Sequence, residues 1–148
     1  MYERESEPRL STVLARTPAA RPAATPPKKV LLVEDTTMIR QIMARLLVCA
    51  GYEVLEAGSA AEAFEILWGH PDAVDVLVSD FTLPDMNGRQ LLKEVRRLQP
   101  EIRALFVTGD PSEVASERYL AKPFLPGELL AAVNETVNAR VLRRAEAL

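Results

Sequence analysis

Cysteine is nearly absent from this 148-residue chain, where Cys49 stands alone. A single thiol cannot close an internal disulfide, so the expected setting is the reducing cytoplasm. Cys49 itself is expected to be a small buried residue on a helix. Histidine is equally scarce: His70, in "WGHPD", is the only one and falls in a loop after a helix. Long apolar runs are missing too. The hydrophobic stretches are strand-length, so no membrane-spanning helix is expected, and the charged N-terminus argues against a secretory signal. There is no excess of basic charge. Residues 1–29 carry six bases and three acids, a balance of +3, and the remainder carries −6, for a total of −3. An acidic globule repels a phosphate backbone, which argues against nucleic-acid binding.

What the chain does contain is ordinary for a folded domain: 48% hydrophobic and 26% charged residues over a length that suits one core. Residues 1–27 read as a tail or linker. "RTPAARPAATPP" is rich in Pro, Ala and Arg and cannot bury enough apolar surface to offset its ordering entropy. Residues 28–148 alternate strand and helix patterns. "KVLLVED", "YEVLEA", "VDVLVSD", "RALFVTG" and "RYLAK" read as five strands. Helical spacing between them places Met38, Ile39, Ile42, Met43, Leu46 and Leu47 on a first helix, and Ala63, Phe64 and Leu67 on a second behind a Ser59/Glu62 capping box. Leu91, Leu92, Val95 and Leu98 form the inner face of a third helix. Leu130, Val133, Val137 and Val141 stripe the last. Such alternation predicts an α/β fold with a doubly wound parallel sheet, whose ligands sit outside the carboxyl ends of the strands.

Those ends carry the chemistry. Strand 1 runs into Glu34 and Asp35, strand 3 into Asp80, strand 4 into Thr108 and Gly109, and strand 5 into Lys122 and Pro123. Three converging carboxylates need a shared proton or a cation at neutral pH. Oxygen ligands of this kind suit Mg²⁺, which keeps waters that a phosphate can replace. A carboxylate can also act as a nucleophile and form an acyl phosphate.

The segments "VLLVEDT", "VLVSDFTLPDMNG", "LFVTG" and "YLAKPF", at four successive strand ends, resemble the receiver domain of two-component response regulators over about residues 28–142. The resemblance implies a flavodoxin-like sheet of order 2-1-3-4-5. It implies Asp80 as phospho-acceptor and Glu34, Asp35, Asp80 and the backbone carbonyl of Thr82 as the Mg²⁺ (or Mn²⁺) site. Thr108 would be the switch hydroxyl, Lys122 the phosphate-contacting cation and Tyr119 the switch aromatic, with a cis Lys122–Pro123 bond. The phosphoryl donor would be a sensor histidine kinase or a histidine phosphotransfer protein. With His70 as its only histidine, the chain is expected to receive phosphoryl groups and not to originate them.

Two departures from the family stand out. The acidic pair is Glu-Asp where Asp-Asp is usual. Only residues 109–117 remain between the fourth and fifth strands, too few for the usual helix, although Asp110, Pro111 and Glu113 carry a helix-start pattern. A haloacid-dehalogenase-like phosphatase would also use a strand-end aspartate, but it wants a second acid where Thr82 stands. A phosphate-independent interaction module would not need Asp80 or Lys122. The expectation is therefore a phospho-acceptor with at most slow self-dephosphorylation, tuned by Thr82 and Asp110, and with no output domain in this chain.

Overall fold

The computed structural model describes residues 26–139 apart from 71 and 115. The tail expected over residues 1–27 lies almost wholly outside the described residues, as does Val141. Five strands, β1 (Lys29–Val33), β2 (Glu53–Ala57), β3 (Val76–Asp80), β4 (Arg103–Thr108) and β5 (Arg118–Ala121), alternate with helices α1 (Thr37–Cys49), α2 (Ala60–Trp68), α3 (Gly88–Leu98) and α4 (Pro126–Val137). All strand pairs are parallel, as the sequence pattern implied, and the order is β2-β1-β3-β4-β5, as the resemblance implied.

The central strands are apolar on consecutive positions because both sheet faces are covered. Leu31, Val33, Leu77 and Phe106 pack under α2 and α3 on one face. Val30, Leu32, Val78 and Val107 pack under α1 and α4 on the other. The Ser59 hydroxyl accepts from the Glu62 N–H, and Asn87 forms a full capping box with Gln90 at the start of α3.

Several side chains lie elsewhere than expected. On α1 the inward stripe is Arg40, Met43, Ala44 and Leu47, at the i, i+3, i+4, i+7 spacing of one helix face. Met38, Ile39 and Ile42 therefore face solvent, and Met38 is 70% exposed. Cys49, two residues beyond Leu47, falls on the outer side and is exposed rather than buried. Leu98 closes α3 where the chain turns towards β4, and it is also exposed. On α4 the buried stripe is Leu129, Val133, Thr136 and Val137; Leu130 is only half-buried.

The β4–β5 crossover is the unusual element. Its described residues form one 3₁₀ turn, Pro111–Glu113, with the Asp110 carboxylate accepting from the Ser112 N–H. Among the described residues of this segment the usual helix is absent, in line with the count of residues. Two arginines of α3 secure the short segment: Arg89 donates to the Glu113 carbonyl at 2.9 Å, and Arg96 pairs with Glu117 at 3.4 Å. Val114 is buried in the core beneath it. A cleft of about 170 Å³ remains between Phe81, Leu92, Phe106 and Val114.

Candidate functional site

The order in which strands are added across the sheet reverses at β1: β2 lies on one side of it and β3 on the other. At the carboxyl ends of β1 and β3 the sequence switches from buried aliphatic residues to acids. Glu34, Asp35 and Asp80 each present a carboxylate oxygen within 4.8 Å of the others, the one such group of metal-ligating side chains among the described residues. Asp80 closes β3 in register with Val107 of β4. The Lys122 ammonium, just past β5, donates to Asp80 Oδ2 at 3.1 Å. The Lys122–Pro123 peptide is cis, as the resemblance implied.

Glu34 is 1% exposed. Its Oε2 accepts from the Thr36 N–H at 3.1 Å, while Oε1 has no hydrogen-bond partner among the described residues. Burial pushes the Glu34 carboxyl above its ordinary range. The Thr36 N–H opposes this, Asp80 adds to it, Lys122 opposes it and Asp35 adds to it. A buried carboxyl with one oxygen lacking a donor, grouped with two further carboxylates, matches the hard oxygen set that Mg²⁺ takes. The residues fit that ion. Glu34, Asp35 and Asp80 are the side chains that would hold it.

Thr108 ends β4 and is buried. Its hydroxyl oxygen accepts from the Asp110 N–H at 2.9 Å and lies 3.2 Å from the Asp110 carbonyl and 3.5 Å from Glu113 Oε1. The switch candidate is thus engaged with the short crossover. Tyr119 stands beside Phe106 in the β4–β5 register and is 49% exposed. Thr82 follows Asp80 by two residues. The bonds closing its bridge to Asn87 come from the N–H groups of Leu83 and Gly88, not from Thr82. His70 lies after α2, at the opposite end of the sheet from Asp80.

Two residues of this region escaped the sequence reading. Asp85, in the loop after Asp80, accepts from the N–H groups of Ala60 and Ala61 and so caps α2 from 25 residues away. Arg40 donates to the Glu34 carbonyl at 2.7 Å. No local pattern announces the first. The second leaves one trace, a basic residue at the i−3 and i−4 positions of the buried Met43 and Ala44.

Residues 30–134 match the response regulator receiver domain. The chain belongs to this family. It is 38% identical over 114 residues to the sensor kinase CckA of Brucella abortus, an alignment covering 72% of this chain and 12% of that protein. It is 29% identical over 119 residues to the chemotaxis protein CheY of Bacillus subtilis, covering 74% and 98%. Among solved structures it resembles the receiver domain of the hybrid histidine kinase CckA, with a TM-score of 0.66, 33% identity and coverage of 74% and 99%. The receiver domain of an HD domain-containing protein from Pseudomonas fluorescens superposes with a TM-score of 0.70 at 29% identity, covering 82% and 95%. The fold is the flavodoxin-like receiver fold, and the chain is a receiver of two-component signalling. No helix among the described residues is long and apolar enough to cross a membrane.

Proposed function

We propose that this receiver is phosphorylated on Asp80 in an Mg²⁺-dependent transfer from the phosphohistidine of a sensor kinase or phosphotransfer protein. One arrangement carries the reading: the acid cluster with its unpartnered Glu34 oxygen, and the Lys122 ammonium 3.1 Å from Asp80. An Asp80 oxygen attacks phosphorus while the P–N bond breaks. The electron pair returns to the imidazole, and an acyl phosphate remains on Asp80. Lys122 stands where it can neutralise phosphoryl oxygens, and Thr108 offers a hydroxyl from the neighbouring strand end once it leaves Asp110. Bound Mg²⁺ would supply further positive charge to the transferring group. With Thr82 in place of an acid, the chain lacks a general acid/base two residues beyond Asp80, so it is an acceptor and not a turnover phosphatase.

A donor histidine must reach the strand ends, so its protein must seat on the elements that begin there. Two of these present exposed apolar side chains, Met38 in the first turn of α1 and Leu125 immediately before α4. Incubating the chain with Mg²⁺ and acetyl phosphate or beryllofluoride tests the reading against Asp80→Asn. Uptake by the wild type alone supports it, and no uptake by either protein refutes it.

A further inference from the structure

Arg40 breaks the amphipathic logic of α1. It occupies the inward stripe with Met43, Ala44 and Leu47, yet its side chain is only 18% exposed, while apolar Met38 and Ile42 face water. Burying a guanidinium costs free energy unless it is paired and hydrogen-bonded, so the position calls for a specific role.

Its contacts define that role. Nη1 donates to the Glu34 backbone carbonyl at 2.7 Å, and Nε lies 3.5 Å from Glu56 Oε1 at the end of β2. The guanidinium also crosses Gly58 closely: a Cβ there would sit 3.1 Å from Nη1. The other side of Glu34 is fixed as well, because its N–H donates to the Ala57 carbonyl at 3.0 Å. The peptide joining Glu34 to Asp35 is planar, so anchoring its oxygen also sets the direction in which Asp35 leaves β1. The exposed Asp35 carboxylate has no hydrogen bond to a described residue, so its aim depends on that backbone.

We propose that Arg40 is a positioning residue for the metal site, orienting Glu34 and Asp35 through its bond to the Glu34 carbonyl. This rests on the Mg²⁺ reading above. Partners that orient metal ligands commonly alter metal affinity by tenfold or more when removed.

The test is Mg²⁺ titration calorimetry on the full chain, paired with urea denaturation in EDTA and in Mg²⁺. Arg40→Gln is expected to bind Mg²⁺ about tenfold more weakly, shrinking the gap between its EDTA and Mg²⁺ midpoints. Arg40→Lys, which can keep one donor to the carbonyl, is expected to lose about threefold. Glu56→Gln removes the ion pair and leaves the carbonyl bond, so its affinity should stay within about twofold of wild type. Wild-type affinity in Arg40→Gln with only a lower EDTA midpoint would reduce Arg40 to a packing role and overturn the proposal. Equal losses in Glu56→Gln and Arg40→Gln would overturn it too, because charge and not the carbonyl bond would then matter. If Arg40→Gln does not fold, Arg40→Met, which keeps the apolar stem and removes every donor, decides: undiminished affinity overturns the proposal. A wild type that binds no Mg²⁺ overturns the metal reading together with this one.

Discussion

The ammonium of Lys122 lies 3.1 Å from Asp80 Oδ2, across the gap between strands that are not neighbours in the sheet. Asp80 is 12% exposed and Lys122 35%, so the pair is wet on one side. Such a pair contributes under about 1 kcal/mol to stability. Its importance is chemical, since the same ammonium stands ready for phosphoryl oxygens. Lys122→Ala should therefore slow phosphorylation by acetyl phosphate about a hundredfold, the scale of removing one group that stabilises a transferring phosphoryl. Its urea midpoint should hardly move. A normal rate in Lys122→Ala would remove Lys122 from the chemistry.

Glu34 makes the metal-free protein sensitive to pH. Burial raises its folded pKa above the ordinary 4.5. A raised carboxyl favours the fold while protonated, so its contribution is full below the unfolded value and fades as pH climbs through the folded one. In EDTA the wild type should lose stability relative to Glu34→Gln across that interval and stay less stable at neutral pH. Mg²⁺ should reverse the order by stabilising only the wild type strongly. Urea midpoints of both proteins, in EDTA and in Mg²⁺ across a pH series, read this directly. Parallel curves in EDTA would mean that Glu34 carries no burial penalty.

The strand ends were legible in sequence because each reactive residue follows a run of buried aliphatics, and parallel topology brings those ends to one edge. Glu34, Asp80 and Lys122 could be placed together on that ground. The shortened crossover was legible from counting alone. The face of α1 was not. Met38, Ile39 and Ile42 offer one apolar stripe and Met43, Ala44 and Leu47 another, and hydrophobicity favours the wrong one. What decides is Arg40, whose partner carbonyl just past β1 carries no side-chain signal. The Asp85 cap was hidden for a similar reason, since its targets are backbone N–H groups in a distant helix.

Gly88 tests how tightly the loop beyond Asp80 is packed. A Cβ at this position would come 2.6 Å from Phe106 Cε1 and 3.0 Å from Phe81 Cδ1, two rings set edge to face at 5.4 Å. Its own N–H donates to the Phe81 carbonyl, which holds the backbone close. Gly88→Ala gains up to about 1 kcal/mol of helix propensity, against about 1–3 kcal/mol for forcing rings apart in a packed core. Urea denaturation should show a net loss of about 1 kcal/mol or more. An unchanged midpoint would show that Phe106 can retreat into the adjoining cleft.

Asp85 couples the phospho-acceptor loop to α2. Slight desolvation at this exposed position pulls its pKa up, but the N–H groups of Ala60, Ala61 and Asp85 itself outweigh that and hold it below 3.8. A lowered carboxyl contributes stability above its unfolded value and loses it as pH falls through the folded one. Asp85→Asn should thus differ most from wild type near neutrality, with the gap closing in acid. Asp85→Ala, which leaves both helix donors without their carboxylate, should cost about 1 kcal/mol. If the loop takes its position from this cap, Asp85→Ala should also slow phosphorylation of Asp80, because the loop begins one residue after the acceptor. Lower stability with an unaltered rate would confine Asp85 to capping α2, leaving the Thr82–Asn87 bridge as the restraint that holds the loop.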